Sequence, residues 1–253
     1  MDYLSVAEAR DRPGLRLVLT AGSPGPWGEA AKAMFKLRQV PFLAVQQFGM
    51  AENEELVAWT GVRNAPVAVY DDETAVSGWL DILNLAERLG SGPSLLPEDE
   101  LARIQALGLA AEIAGAGGFG WERRITMLNP DRELPVADTL NIVYRSYGVK
   151  PSAAETAPRR VIAILGALST ILHQQKAKGS DYFVGDRLSA PDVYWACFSQ
   201  LVGAMGEDRC PMGEQMRSIY DYITPEIAAA VDPVLMRHRD MVWERHLGLP
   251  MEF

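Results

Sequence analysis

The chain has 253 residues, of which 48% are hydrophobic and 23% are charged, and its formal net charge is −9 at pH 7. A chain of this length buries a sizeable core, and the composition is that of ordinary soluble globular proteins. The excess of acidic side chains disfavours a nucleic-acid partner, because such a surface repels phosphate backbones.

Membrane, secreted and metal-dependent classes are disfavoured as well. No apolar run approaches the roughly 20 residues that a membrane span requires, and residues 1–13 lack the layout of a signal peptide. The two cysteines, Cys197 and Cys210, indicate no disulfide framework, so a cytoplasmic location is expected. The three histidines form no cluster with cysteine at metal-ligand spacing, and no metal site is predicted.

The first third of the chain alternates short strands with helices. Leucines alternate with other residues from Leu15 and predict a strand, after which a loop rich in glycine and proline leads into a helix that ends before Pro41. The later predicted elements are a strand at 42–46, a helix at 52–60, strands at 67–70 and 74–76, and a helix at 82–89. This order predicts a small mixed sheet with helices on its faces.

After a linker at 91–97, the strand signals disappear and helical spacing dominates. Helices are predicted from Leu101, over about 25 residues ending at Gly179, from Ser189, and from 226 to 246. The sequence therefore predicts two domains, an α/β domain at 13–90 and an all-helical domain at 98–248.

The helix that begins at Ser189 has the clearest local signal. Ser189 and Asp192 have the spacing of a capping box, in which the serine and the acid satisfy backbone N–H groups at the start of a helix. The residues that follow are apolar nearly all round the helix, so the helix is predicted to be buried. By itself this motif indicates a role in folding rather than in chemistry.

This buried capped helix resembles the capping-box motif of the C-terminal domain of the glutathione transferase superfamily. The order of elements before residue 91, the Pro66 that opens the third strand, and the ending at 238–250 are similar to that family too. The resemblance covers about residues 15–250. It implies a divergent member with an α/β thioredoxin-like N-terminal domain and an all-α glutathione-transferase-type C-terminal domain.

The resemblance also implies an activity and an assembly. It implies that glutathione binds as a co-substrate, that its thiolate attacks a small electrophile held by the helical domain, and that the protein is a homodimer. The competing interpretation is a non-catalytic binding or dimerisation module that keeps the fold with a degraded glutathione site, because fold alone does not decide function.

Two stretches carry the implied contacts to the cysteinyl part of glutathione. By the resemblance Pro66 is cis and the backbone of Ala65 pairs with the ligand, although such a proline also shapes this domain without a ligand. Ser23 is implied to stabilise the thiolate, which is the nucleophilic form of a thiol. The family spacing counted back from Pro41 instead places Gly25-Pro26 there, so either the loop is about two residues longer or Ser23 is displaced.

The family's acid-serine pair, which holds the γ-glutamyl carboxylate at a helix N-terminus, is broken in this chain. An alignment on Ser77 replaces the acid by Val76, whereas an alignment on Ile82 puts Gly78-Trp79 in place of the pair. Ser77, Gly78 and Trp79 are the predicted contacts, with the alternative that Ser77 only caps the helix. Weak binding of glutathione is predicted.

The resemblance implies that the stretch from Phe119 to Arg124 lies where such proteins build the pocket for the second substrate. The residues predicted to line it are Trp27, Phe119, Trp121 and Arg124. Arg123 or Arg124 is a candidate for binding an anionic substrate, and a solvated or dimer-facing salt bridge is the alternative. The neighbouring Gly115 to Gly120 matches the dinucleotide pattern G-x-G-x-x-G, but it follows a helix rather than a strand and indicates a helix break.

Overall fold

The computed structural model describes residues 1–49, 51–127 and 153–253. Its sheet has the strand order β2-β1-β3, with β1 parallel to β2 and antiparallel to β3. The strands are β1 (Leu15–Thr20), β2 (Phe42–Gln47) and β3 (Val67–Tyr70). In the register, Leu15 lies opposite Phe42 on one side and Tyr70 on the other. The central strand β1 is buried from Leu15 to Leu19, because helices cover both faces of the sheet.

Four helices accompany the sheet among the residues described up to Leu89. They are α1 (Val6–Ala9), α2 (Pro26–Leu37), α3 (Glu54–Thr60) and α4 (Trp79–Leu89). Helices α2 and α4 pack on one face, which faces the rest of the protein, while α1 and α3 cover the other face with a separate small core. Pro26 is the first residue of α2, a position where the missing N–H of proline is harmless.

The described secondary-structure elements after Gly90 are all helical. The helices are α5 (Glu100–Ala114), α6 (Phe119–Met127), α7 (Ala153–Ala177), α8 (Ala190–Phe198), α9 (Glu214–Tyr220), α10 (Pro225–Ala230) and α11 (Pro233–Val242), with a 3-10 turn at Ser199–Val202 and a π-helical turn at Trp243–Leu247. Every residue of α8 is buried, and this helix contacts α2, α5 and α11. Among the described residues, no helix has the length and apolarity needed to cross a membrane.

The predicted capping box at the start of α8 is present and has additional partners. Asp192 Oδ2 accepts hydrogen bonds from the backbone N–H of Ser189 (2.8 Å) and from its hydroxyl (2.7 Å). Asp192 Oδ1 lies 2.8 Å from both the backbone nitrogen of Phe183 and Nε2 of His238. Because Asp192 is fully buried, these partners replace the water that its carboxylate gives up.

Arg38 joins the end of α2 to the segment that leads into the helical part. Its guanidinium donates to the carbonyl oxygens of Glu87 (3.1 Å), Gly90 (2.8 Å) and Gly92. The backbones approach so closely here that a Cβ built on Gly92 would lie 2.3 Å from the carbonyl oxygen of Leu37. The connection between the α/β part and the helical part is thus fixed by hydrogen bonds from the Arg38 side chain to backbone carbonyl oxygens.

Several predicted elements are confirmed, and the fourth strand is wrong. The strand predicted at 67–70 is β3, the long helix is α7, and α5 breaks at Gly115 as expected. Residues 74–76, however, form only one bridge, in which Val76 and Ala68 exchange backbone hydrogen bonds of 2.8 and 2.9 Å. The pairing stops there because the chain turns at once into α4.

Two helix boundaries also differ from the prediction. The segment 226–246 is not one helix, because Asp232 caps a new helix and Pro233 occupies its first turn. The N-cap of α4 is Gly78, and it makes no side-chain capping bond. The alternative that Ser77 caps this helix is therefore wrong.

Candidate functional site

A cavity of about 230 Å³ opens between the sheet and the helical part of the chain. The ends of β1 and β2, the start of α2 and the segment before β3 line one side, and α6, α9 and the 3-10 turn line the other. The chain reverses at this edge of the sheet, so backbone groups and polar side chains converge on one space. Such a concave space between two structural units is the usual place for a ligand.

The loop before α2 and the segment before β3 form the sheet side of the cavity. Ser23 and Ala65 both line it and are half-buried. The Ala65–Pro66 peptide bond is cis, as predicted, and Pro66 is buried. The ladder with β1 begins only at Val67, so the peptide group of Ala65 lies beyond the paired part of the strand.

A polar network forms the floor at the ends of β1 and β2. The hydroxyl of Thr20 donates to Oε1 of Gln47 (2.6 Å), and Nε2 of Gln47 donates to the carbonyl oxygen of Phe48 (2.8 Å). The amide of Asn53 also donates to the carbonyl oxygen of Phe48 (2.9 Å). Because Gln47 is only 3% exposed, these bonds hold it in one orientation.

An aromatic and cationic wall closes the opposite side. The guanidinium of Arg124 lies over the ring of Trp27, 4.4 Å from its centroid, and 5.8 Å from that of Trp121. Trp27 is fixed in turn by a hydrogen bond of 2.9 Å from its indole nitrogen to the carbonyl oxygen of Ala114. The wall is thus aromatic and positively charged, which suits a flat or anionic group.

Tyr220 brings the helical part of the chain onto the loop before α2. Its ring lines the cavity, and its hydroxyl donates to the carbonyl oxygen of Pro24 (3.1 Å). Burial raises the pKa of Tyr220 further above its ordinary value, which strengthens the preference for the protonated hydroxyl. The loop that carries Ser23 is thus held by a residue nearly 200 positions away, since the two residues of this bond are 196 apart.

A buried ion pair lies in the first turns of α2. Glu29 lines the cavity and is 4% exposed, and its Oε1 is 2.7 Å from Nζ of Lys32, which also donates to the carbonyl oxygen of Glu252. Oε2 of Glu29 is buried without a hydrogen-bond partner in the described part of the chain. Burial raises the pKa of Glu29, and the charge of Lys32 opposes that shift.

The charge of Glu29 acts on acidic groups from several elements. Burial, with a smaller contribution from Glu29, raises the pKa of Tyr3 to about 12. Burial and then Glu29 also raise the pKa of the Cys197 thiol, and Glu29 raises that of Tyr220 in the same sense. The site around Glu29 therefore disfavours a second negative charge.

The cavity brings together four of the predicted site residues. Ser23, Trp27, Ala65 and Arg124 line it, with Pro66 directly behind Ala65. Trp121 is not among the described lining residues, but its ring lies beside the guanidinium of Arg124.

Other predicted site residues lie elsewhere. Ser77 is exposed outside the described lining of the cavity, and Trp79 packs against Tyr194, whose hydroxyl donates to its carbonyl oxygen (2.7 Å). A Cβ built on Gly78 would lie 2.5 Å from Oδ2 of Asp81, so a carboxylate of the chain itself is close to the start of α4. Phe119 is fully buried, and its ring packs 5.2 Å from that of Trp195.

Arg123, the other candidate for an anionic substrate, serves the packing of the helices. It is fully buried and donates to the carbonyl oxygens of Leu201 (2.8 Å) and Tyr222 and to the hydroxyl of Thr126 (2.7 Å). Only Arg124 of this pair lines the cavity.

Sequence reasoning missed most of the polar residues in the described lining, among them Glu29, Gln47 and Tyr220. A signal existed for Glu29, because it lies four positions before Ala33 on the buried stripe of α2 and three before Lys32. No local pattern marks Tyr220, since only the tertiary structure brings α9 to the loop before α2.

The sequence matches no protein-family model and no curated protein, whereas the structure resembles many solved ones. A glutathione S-transferase of Methylobacterium radiotolerans, in complex with glutathione sulfonate, is 17% identical with a TM-score of 0.63, covering 91% of each chain. A glutathione S-transferase domain-containing protein of Marinobacter aquaeolei is 14% identical with a TM-score of 0.65, covering 91% of this chain and 98% of its own.

A third similar structure is an enzyme with a named activity. The β-etherase LigF of a Sphingobium strain is 15% identical with a TM-score of 0.58, covering 90% of this chain and 99% of its own. This protein accordingly has the glutathione-transferase fold, a thioredoxin-like α/β part followed by a helical part. At these identities the likeness defines the fold, and function has to be argued from the cavity.

Proposed function

We propose that this protein binds glutathione in the cavity and uses its thiol to attack a small electrophile held against Trp27 and Arg124. The observation that carries the proposal is the convergence of Ser23, the start of α2 and the Ala65 backbone beside cis-Pro66 on one cavity. Solved structures of the same fold were crystallised with glutathione derivatives, which supports this choice of ligand. Most of the rate enhancement would come from proximity and from ionisation of the thiol.

Binding is expected to be weak, near the millimolar range. Ser77 is exposed and lies outside the described lining, and the carboxylate of Asp81 lies near the start of α4, where it repels a γ-glutamyl carboxylate. Loss of one charge-assisted contact costs about 1.5–3 kcal/mol, which is roughly ten- to 150-fold in affinity.

Calorimetric titration with glutathione tests the proposal. The wild-type protein should bind glutathione, and Ala65→Phe should abolish binding by filling the edge beside cis-Pro66. Ser77→Ala is the matched control and should bind with unchanged affinity. No heat of binding at tens of millimolar glutathione would contradict the proposal. If Ser77→Ala bound glutathione tenfold more weakly, Ser77 would be a contact of the γ-glutamyl carboxylate, as in the family's usual site.

The alternative function is a binding module without catalysis. It is favoured by the absence of a hydroxyl or thiol at Gly25-Pro26, where the family spacing expects the activating group. If glutathione binds but its thiol reacts no faster than free glutathione, this alternative replaces the first. The buried free thiols of Cys197 and Cys210 agree with the cytoplasmic location that we propose for either function.

We also propose that the protein is a homodimer. Leu101 and Ile104 lie one turn apart on α5 and are 77% and 60% exposed, and such neighbouring apolar side chains favour a covered surface. Leu101→Glu combined with Ile104→Glu should convert a dimer into a folded monomer in sedimentation. A wild-type monomer of 27.8 kDa at micromolar concentration would contradict the proposal.

A further inference from the structure

The carboxylate of Glu29 has a partner for only one of its two oxygens. Oε1 is held by Lys32 at 2.7 Å, whereas Oε2 is buried and has no hydrogen-bond partner among the described residues. An orphaned acceptor is costly in a folded protein unless something else supplies a donor. Glu29 lines the cavity, so a ligand in that cavity is a source of such a donor.

Glu29 also stands where a thiol-activating group is needed. It lies three residues after Pro26, in the first turn of α2, and its own N–H donates to the carbonyl oxygen of Gly25 (2.9 Å). Gly25-Pro26 provides no side-chain hydroxyl. Trp27 comes next, but its indole N–H donates to the carbonyl oxygen of Ala114, so Glu29 is the first residue after Pro26 in the described lining whose side chain accepts hydrogen bonds.

Electrostatics determine what kind of activation is available at this place. A thiolate beside an ionised Glu29 would put two negative charges into one buried site, and like charges there do not ionise together. The thiol and Glu29 would therefore share one proton as a coupled pair. The charged and titratable groups that interact with Glu29 are Tyr3, Lys32, Lys36, Cys197, Cys210 and Tyr220, and Arg124 in turn acts on Tyr220.

We propose that Oε2 of Glu29 is the proton acceptor that ionises the thiol of glutathione; this rests on the proposed function. The S–H bond breaks, its electron pair stays on sulfur, and the proton moves to Glu29. The thiolate then forms a bond to the electrophilic carbon, the leaving group departs with its electron pair, and Glu29 returns the proton to it. The net charge of the cavity stays constant during the first step, and because Lys32 occupies Oε1, Oε2 is the oxygen left to take the proton.

The test measures how fast iodoacetamide alkylates glutathione in the presence of the protein, as a function of pH, with the alkylated peptide quantified by mass spectrometry. The variants are Glu29→Gln, which keeps the shape but does not accept a proton, and Glu122→Gln as the matched control. Glu122 is a half-buried acid in the first turn of α6, its pKa is also raised by burial, and it is not among the described lining residues. The double variant Glu29→Gln/Lys32→Met is the second arm in case the single variant does not fold.

The wild-type protein and Glu122→Gln should accelerate alkylation at pH values below the pKa of the free glutathione thiol. Their rate should fall as the pH drops through the pKa of Glu29, because a protonated Glu29 does not accept a proton. Glu29→Gln should bind glutathione with similar affinity in calorimetry but react about 10²–10⁴-fold more slowly, following the titration of the free thiol. A Glu29→Gln protein, or the double variant, that binds glutathione and keeps the wild-type rate and pH profile would overturn the role of Glu29. Absence of binding to the wild type would overturn the proposed function itself.

Discussion

Two buried carboxylates, Asp192 at the start of α8 and Glu29 at the start of α2, have very different hydrogen-bond surroundings. Asp192, in the first turn, has acceptable donors at both oxygens, namely the backbone N–H groups of Ser189 and Phe183, the Ser189 hydroxyl, and His238. Glu29 lies on α2, and its charge adds to burial in raising the pKa of the Cys197 thiol near the end of α8. Its Oε2 has no partner among the described residues. A fully satisfied buried acid serves the fold, whereas a half-satisfied one beside a cavity is a candidate for chemistry.

The largest expected effect comes from removing the satisfied acid. Asp192→Ala leaves two buried N–H groups and His238 without their acceptor, so the free energy of unfolding should fall by about 3–5 kcal/mol. Denaturant unfolding measures it, with the exposed Asp186→Ala as control. A loss below about 1 kcal/mol would show that Asp192 is not a folding residue.

Replacing the half-satisfied acid together with its partner should have the opposite outcome. Glu29→Leu/Lys32→Met replaces a buried ion pair by apolar side chains, and such exchanges are neutral or stabilising by about 1–4 kcal/mol. Glu29→Leu alone should instead lower the free energy of unfolding, because it leaves the buried ammonium of Lys32 without its carboxylate. Thermal unfolding compares the variants. A double variant as unstable as the single one would mean that Glu29 serves the fold as Asp192 does.

A smaller effect is expected from the serine of the capping box. Ser189→Ala removes the hydroxyl but keeps the N–H that donates to Asp192, so the loss should be about 1 kcal/mol. The melting temperature should fall without a change in glutathione affinity. An unchanged melting temperature would show that the hydroxyl adds nothing to the box.

The smallest effects concern the pH dependence of the free energy of unfolding, to which Asp232 and Glu29 contribute with opposite signs. Hydrogen bonds from Ser169, the N–H of Val234 and His173 hold the pKa of Asp232 at about 2. Its stabilisation is therefore present above about pH 4, the unfolded value, and is lost as the pH falls toward 2.

Glu29 has a raised pKa, so its contribution is fully present below its unfolded pKa and is lost as the pH rises through the folded value. Asp232→Asn should flatten the acid limb of the stability profile, and Glu29→Gln should flatten the decline above about pH 4. Unfolding experiments at a series of pH values measure both. Identical profiles for wild type and both variants would contradict these assignments.

The elements that the sequence predicts well are those fixed by local chemistry. The Ser189-Asp192 box and β3 follow from capping spacing and from a short apolar run. The same rule would have found α1, because Ser5 and Glu8 form a capping box in a segment for which no element was predicted. The fourth strand fails for a non-local reason, since Val76 finds only one partner before α4 begins.

The cavity is less predictable because distant segments build it. Ser23, Ala65, Trp27 and Arg124 were reached through the resemblance, which supplies tertiary information that a single sequence lacks. Tyr220 has no local signal because its role depends on a contact with Pro24. The partnerless oxygen of Glu29 becomes visible only when the surroundings of every polar atom are known.

The connection held by Arg38 has a consequence for how such chains diverge. Arg38 contacts three carbonyl oxygens there, and carbonyl oxygens are the same in every residue type. Among relatives of this protein, the side chains of that connection are therefore free to drift, while its length is not. Arg38 and Gly92 should be conserved, because a Cβ at position 92 would clash with the carbonyl oxygen of Leu37.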